Sequence, residues 1–289
     1  MAAAERRPLT SRLRDKLIAH RGPGLHVAVD EGHGPTVVLV HGIASSYVTF
    51  ENVIPLLQAD HRVIAVDLLG FGASPAPPDA RFSLDEHVEY LERTLAGLEL
   101  PEPFVLVGHS MGALISARYA ARRSSELKGL VLVSPPVYLP PDIVGDPVDR
   151  AAMSLYRRVY DFLRRKRSFT LRNAAVLARM SPIKNAFEVS ERNWEAFVLS
   201  LQNAIETQTT VTDVAAVDVP IEVIYGTLDP FLVPGGLRII ERMRHVTVHR
   251  IGGGDHLIRP PMARVIATAV ESFTSPAGSH REAGLSGGA

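Results

Sequence analysis

The sequence contains no cysteine, carries no formal net charge and has no apolar run long enough to cross a bilayer. The missing cysteines exclude disulfide bonds, thiolate zinc sites and a cysteine nucleophile. The balance of 31 basic and 31 acidic residues provides no overall electrostatic attraction for nucleic acid. Because 46% of the 289 residues are hydrophobic, the chain is long and apolar enough to bury a large core.

The first twenty residues carry five basic side chains but no apolar segment of the kind found in a secretory signal. Together with the absence of cysteine, this pattern predicts a cytoplasmic protein without stable membrane insertion. We expect small-molecule partners rather than nucleic acid. The sequence leaves a homodimer open.

Short apolar runs rich in β-branched residues predict the strands of a parallel sheet. The runs at 36–40 and 104–107 are apolar on both faces, as in strands covered by helices on both sides. Helical stretches at 84–98 and 113–122 lie between such runs, which indicates βαβ units. The other predicted strands occupy 25–29, 62–66, 130–133, 221–225 and 245–251.

The alternation of strand and helix stops between 135 and 214, where paired prolines precede a series of helical patterns. We predict that 135–214 is an inserted helical cap and that 21–134 and 215–274 form the core. Residues 1–20 are interpreted as an N-terminal extension, and the low-complexity segment 275–289 as a disordered tail. The helical patterns in the insertion cover 151–162, 171–180 and 191–207.

The pentapeptide Gly-His-Ser-Met-Gly at 108–112 directly follows the predicted strand 104–107 and opens a helix. A G-x-S-x-G turn in this position holds the serine hydroxyl on a sharp, exposed bend. The two glycines let the strand and the helix approach where any Cβ would clash. The pattern therefore predicts Ser110 as a nucleophile.

A serine hydroxyl needs a base to take its proton and an acid to orient that base. His256 is the candidate base, because it follows the last predicted strand and a Gly-Gly-Gly turn. Asp229 is the candidate acid, because it follows the strand at 221–225. All three side chains lie after the carboxyl ends of strands, so they are expected to converge at one edge of the sheet.

An acyl-transfer site also needs donors for the oxyanion. The backbone N–H of Met111, the residue after the nucleophile, is one expected donor. The second is expected from Ile43, in the His41-Gly42-Ile43 loop after the strand at 36–40. We predict that His41 organises this loop and that His109 packs beside the serine turn.

These residues resemble the α/β-hydrolase superfamily. The similarity rests on His41-Gly42, on the segment Asp-Leu-Leu-Gly-Phe-Gly-Ala-Ser at 67–74, on the serine turn and on the order Ser, Asp, His; it spans 25–273. The resemblance implies an α/β fold with an eight-stranded, mostly parallel sheet, a cap over the site, and no cofactor. No metal site is predicted, and Asp67 is interpreted as a turn-stabilising residue.

Within that superfamily, Ser110 favours a serine hydrolase acting as a carboxylesterase on a small-molecule ester. An aspartate nucleophile would have indicated an epoxide hydrolase or a dehalogenase. The C–C bond hydrolases are similar in outline, but they usually have Gly-Asn-Ser at the turn and a Trp after the base, where this chain has His109 and Leu257. The alternatives left open are a C–C bond hydrolase, a lactonase, a thioesterase, a cofactor-free perhydrolase, an acyltransferase and a non-catalytic ligand-binding protein.

Basic residues cluster inside the predicted insertion, at Arg157-Arg158 and at 164–167. The simplest interpretation is a solvated outer face of the cap. The alternative is attraction of anionic substrates or of an anionic surface.

Overall fold

One sheet of seven strands lies at the centre of the described residues. The computed structural model describes residues 23–98, 100, 103–139, 146–180 and 188–275. The strand order is β1-β3-β2-β4-β5-β6-β7, with β1 antiparallel to β3 and every other pair parallel. The strands are β1 (Val27–Glu31), β2 (Thr36–Val40), β3 (Arg62–Val66), β4 (Phe104–His109), β5 (Leu127–Val133), β6 (Ile221–Gly226) and β7 (Val246–Ile251).

The mostly parallel α/β architecture is confirmed, whereas the expected count of eight strands is wrong for the described residues. The sequence itself contains seven strand-like runs, and the eighth came from the family resemblance. β1 is a partly exposed edge strand, and only residues 23–26 precede it in the described part of the chain. The predictions for 1–20 and, apart from Ser275, for 275–289 concern residues outside the described part.

Helices cover both faces of the sheet. Side chains of β2 alternate between two buried clusters: Val38 and Val40 face the one that contains α2 and α3, and Val37 and Leu39 face the one that contains α1 and α9. The helices are α1 (Ile54–Leu57), α2 (Leu84–Gly97), α3 (Met111–Arg123), α4 (Pro147–Arg165), α5 (Arg167–Met180), α6 (Trp194–Ser200), α7 (Thr210–Ala215), α8 (Pro234–Ile240) and α9 (Pro260–Thr274).

The last helical pattern of the predicted insertion is shorter and less regular in the structure than the sequence predicts. Asn193 holds a turn before α6, since its amide donates to the Glu188 carbonyl (2.7 Å) and accepts from the Ser190 N–H (2.8 Å). After α6 the chain continues as a π-helical turn, Leu201–Ile205, in which Glu206 N–H donates to the Leu201 carbonyl at 3.0 Å. The helical periodicity of 191–207 predicts neither the turn at Asn193 nor the π-helical turn after α6.

Three buried histidines make the fold sensitive to acid. Burial lowers the pKa of His41 to about 4, and it lowers the pKa values of His87 and His109 to about 3. Below the ordinary histidine pKa, these three histidines are therefore protonated in the unfolded chain but still neutral in the folded chain. The free energy of unfolding is therefore undiminished above the ordinary histidine pKa and falls as the solution is acidified below it.

We expect the free energy of unfolding to fall between pH about 6.5 and about 4, by about 1.4 kcal/mol per pH unit for each of the three histidines. Urea unfolding at a series of pH values measures this slope. We choose His87 for substitution because its side chain forms a single hydrogen bond within the described residues, with Ser200 Oγ at 3.1 Å. His87→Gln should make the slope shallower; an unchanged slope would contradict the assignment.

Candidate active site

The serine turn is strained where β4 meets α3. Ser110 has φ 54° and ψ −123°, a conformation that L residues rarely adopt outside functional turns. Its N–H donates to the Val133 carbonyl on β5 (2.9 Å), and its carbonyl accepts from the Ala113 N–H in α3 (2.9 Å). These bonds fix the serine between strand and helix.

Close packing explains the two glycines of the turn. A Cβ at Gly108 would lie 2.4 Å from the carbonyl oxygen of Gly112. A Cβ at Gly112 would lie 2.2 Å from the carbonyl oxygen of Val40, at the end of β2. No side chain can be accommodated at such distances, so both positions require glycine.

Asp229 and His256 meet across the ends of β6 and β7. The Nδ1–H of His256 donates to Oδ2 of Asp229 at 2.7 Å, and Oδ1 of Asp229 accepts from the Phe231 N–H at 2.9 Å. Burial opposes ionisation of Asp229, but the hydrogen bonds from His256 and from the Phe231 N–H prevail and lower its pKa. The ionised carboxylate thereby holds the proton on Nδ1 and leaves Nε2 of His256 available as a base.

Two aromatic rings hold the imidazole of His256 in position. The Phe231 ring meets it edge-on, with the ring centroids 4.7 Å apart, and the His109 ring lies at 4.9 Å. His109 also donates from Nε2 to the carbonyl of His256 at 2.9 Å. Because His109 precedes Ser110, these contacts bring the candidate base against the serine turn.

His41 fixes the loop after β2. Its Nε2 accepts the Leu68 N–H at 2.8 Å, so its proton lies on Nδ1, which donates to the Gly42 carbonyl at 2.7 Å. In a trans peptide the carbonyl and the N–H point in opposite directions. Since His41 holds the Gly42 carbonyl on one side, the Ile43 N–H of the same peptide points to the other.

Gly42 lies directly against the nucleophile candidate. A Cβ at Gly42 would be 2.8 Å from Cβ of Ser110 and 3.2 Å from its Oγ. Met111 is the first residue of α3, where backbone N–H groups have no partner within the helix. The Gly42–Ile43 peptide and the start of α3 thus flank the serine from two sides.

The sequence patterns do not predict the roles of Phe231 and Ser134. Phe231 contributes both its ring to His256 and its N–H to Asp229. Ser134 is buried directly after β5, has φ 47°, and its hydroxyl is a further group that lowers the pKa of Asp229. The sequence offers one indication for Ser134, which is a polar residue directly after an apolar strand.

Asp255, the neighbour of His256 in sequence, bonds elsewhere. Its carboxylate accepts from the Arg259 guanidinium at 3.0 Å and from the Leu257 N–H at 3.2 Å. Asp67 stabilises turns, as its carboxylate accepts from the N–H groups of Tyr47 and Ala73, both at 2.9 Å.

Within the described residues, no group of three or more His, Asp or Glu side chains could hold a metal ion. No helix in that part of the chain is both long and apolar enough to span a membrane.

Comparison with known proteins gives the same fold. Residues 35–259 match the model of the alpha/beta hydrolase fold family, and the chain belongs to that family. It is 40% identical over 118 residues to the probable lysophospholipase BODYGUARD 4 of Arabidopsis thaliana, covering 40% of this chain and 28% of that protein. It is 33% identical over 127 residues to a cis-3-alkyl-4-alkyloxetan-2-one decarboxylase of Shewanella oneidensis, covering 43% and 40%.

Among solved structures, a loop variant of the haloalkane dehalogenase DbeA from Bradyrhizobium elkanii matches with a TM-score of 0.64. The identity is 20%, and the match covers 86% of this chain and 97% of the other. That likeness supports the fold alone. The chain spans less than half the length of the two sequence relatives.

Proposed function

We propose that the protein is a serine hydrolase that cleaves small-molecule carboxylic esters through an acyl-enzyme on Ser110. The observation that carries the proposal is the 2.7 Å hydrogen bond from His256 to Asp229, because it fixes the tautomer that a general base requires. Ser110 supplies a hydroxyl on the strained turn, and the residue before it, His109, contacts His256.

In the first step, Nε2 of His256 takes the proton of Ser110 Oγ while the oxygen attacks the ester carbonyl carbon. The backbone N–H groups of Ile43 and Met111 bind the oxyanion of the tetrahedral intermediate. The intermediate collapses when His256 returns the proton to the leaving alcohol. Water, activated by the same histidine, then releases the acid, and Asp229 stabilises the imidazolium in both halves.

The helices between β5 and β6 serve in this proposal as a cap that selects the substrate. A cavity of about 170 Å³ lies beneath α4, lined by residues that include Tyr138, Met153, Tyr156 and Tyr160. The Tyr138 hydroxyl donates to the Phe231 carbonyl at 3.3 Å, and the Phe231 ring contacts His256. The cavity therefore adjoins the loop after β6 that carries Asp229 and Phe231, and in this proposal it receives part of the substrate.

A substrate panel tests the class of reaction. Aryl esters of graded acyl length, a lactone, a thioester, a vinylogous diketone for C–C cleavage and an acceptor alcohol for acyl transfer are compared by kcat/KM. We expect the short esters to be the best substrates. The name of one relative, a probable lysophospholipase, supports an ester substrate. Hydrolysis of the diketone or the lactone with higher kcat/KM than any ester would overturn the assignment.

His41 is expected to position an oxyanion donor without touching the substrate. His41→Ala frees the Gly42–Ile43 peptide, and we expect kcat to fall by about 10²–10³-fold with little change in KM. His61 provides a matched control, since it is also buried, bonds to Leu57 and Thr274, and lies away from the serine turn. If His61→Ala lowers kcat as much as His41→Ala, the positioning role is wrong.

A further inference from the structure

Helix α4 is apolar on two opposite faces. Met153 and Tyr160 are buried on its inner face. Leu155, Val159 and Phe162 recur at spacings of four and three residues, so they share the outer face. Their exposed fractions are 62%, 43% and 45%.

The next helix extends this outer face. Phe169 of α5 is 46% exposed, and its ring meets the Phe162 ring edge-on, with the centroids 5.2 Å apart. We call Leu155, Val159, Phe162 and Phe169 the outer apolar patch. Single exposed apolar residues are ordinary on protein surfaces, but a contiguous group on neighbouring helices marks an interaction site.

Basic side chains border the outer apolar patch. The segment 157–167 contains six basic residues, of which Arg157 lines the cavity on the inner side of α4. Arg164 and Arg167 are paired with Glu206 and Glu191. Arg158 and Lys166 are exposed, and Arg165 is 76% exposed while it pairs with Asp161. Exposed positive charge from Arg158, Arg165 and Lys166 therefore lies beside the apolar centre.

We infer that the outer apolar patch docks this protein on an anionic lipid surface. Leucine, valine and phenylalanine side chains would enter the boundary between headgroups and acyl chains, and the arginines and lysine would meet the phosphates. An anionic lipid surface supplies both the apolar boundary and the negative charge that this combination requires. The long basic side chains reach headgroups while their stems lie along apolar surface.

The same helix connects the docking surface to the candidate active site. The inner face of α4 contributes Met153, Tyr156 and Tyr160 to the cavity beside the loop after β6. A docked α4 would thus place this cavity close to the lipid surface. Resting on the proposed function, this arrangement makes esters carried in or near a lipid layer the substrate class.

Vesicle binding by the full chain tests the docking directly. Ser110→Ala protein is used, so that binding is measured whether or not the protein hydrolyses esters. We expect co-sedimentation with phosphatidylcholine vesicles that contain phosphatidylglycerol, and weaker binding to phosphatidylcholine alone. Binding should weaken as salt is added, because exposed charges are screened.

Two sets of variants separate the apolar and the electrostatic contributions. Leu155→Glu combined with Phe162→Glu should weaken binding by about tenfold or more, the loss that about 1.4 kcal/mol produces. Arg158→Glu combined with Lys166→Glu should remove the preference for anionic vesicles. Leu56→Glu is the matched control, since Leu56 is 46% exposed on α1, and it should bind as the parent does.

Several outcomes would overturn the docking. These are no binding of the parent to anionic vesicles, equal binding by the Leu155→Glu/Phe162→Glu variant, or equal binding to neutral vesicles. Light scattering on the same proteins without vesicles tests whether a second copy of this chain covers the patch instead. A dimer that the Leu155→Glu/Phe162→Glu variant dissociates, with no vesicle binding, would assign the patch to self-association and overturn the proposal.

Discussion

Ser110→Ala will abolish ester hydrolysis, with kcat reduced by about 10⁶-fold, the loss typical when the nucleophile of a catalytic triad is removed. The hydroxyl forms the acyl-enzyme, and alanine leaves no atom that can do so. Ser110 is 7% exposed, and the missing oxygen leaves a small space, so the fold should persist. The measurement is steady-state hydrolysis of the best ester of the panel, with thermal unfolding to confirm the fold.

Ser116→Ala is the matched control, because Ser116 is a buried serine in α3, the helix that begins directly after Ser110. It should retain the kcat of the parent. Ester hydrolysis by folded Ser110→Ala protein within a factor of about ten of the parent, more than any triad without its nucleophile retains, would refute the acyl-enzyme mechanism.

Asp229→Asn should lower kcat by about 10⁴-fold while leaving the geometry largely intact. The amide cannot stabilise the imidazolium, and it can donate its own proton to His256 Nδ1, which places the imidazole proton on Nε2. That tautomer cannot accept the proton of Ser110. The rate of hydrolysis and its pH profile are the readouts, since the variant should regain activity only where hydroxide replaces the base.

Asp255→Asn separates this role from a general effect of lost charge. Asp255 directly precedes His256 but bonds to Arg259 and to the Leu257 N–H. The Asp255 variant should retain kcat within a few-fold and lose at most a modest amount of stability. Equal losses in the two variants would mean that Asp229 does not act through His256.

The strands of the core were predictable because their residues are apolar on both faces. The predicted segments 36–40 and 62–66 coincide with β2 and β3, and Phe104 begins β4 as expected. β5 starts at Leu127, three residues earlier than predicted, because Leu127 pairs with Phe104 across a register shift. A partly polar strand start leaves no apolar run to detect.

The helices between β5 and β6, which the sequence predicts as an insertion, were less predictable than the strands. Helical periodicity marks α4 and α5, but it does not specify where the ladder changes to a π-helical turn after Ser200. Nor does the periodicity predict that Leu155, Val159 and Phe162 are exposed. A helix with two apolar faces has the same sequence pattern whether one face or both are buried.

At the candidate site, the positions of Asp229 and His256 after strand ends were enough to predict that they converge. The hydrogen bonds that orient the neighbouring groups could not be predicted from the sequence. Strand ends predict that Asp229 and His256 converge, and the structure brings them together at 2.7 Å. The tautomer of His41 could not be predicted, since it depends on the Leu68 N–H, which follows a different strand. Long-range bonds of this kind become visible only once the fold is known.

Covalent labelling with a fluorophosphonate tests the central claim most directly. The probe reacts with a serine that an adjacent base activates. Intact-mass measurement should give one adduct per chain, peptide sequencing should locate it on Ser110, and Asp229→Asn should label much more slowly. A folded protein that gains no adduct, or one labelled on a residue other than Ser110, would contradict the account.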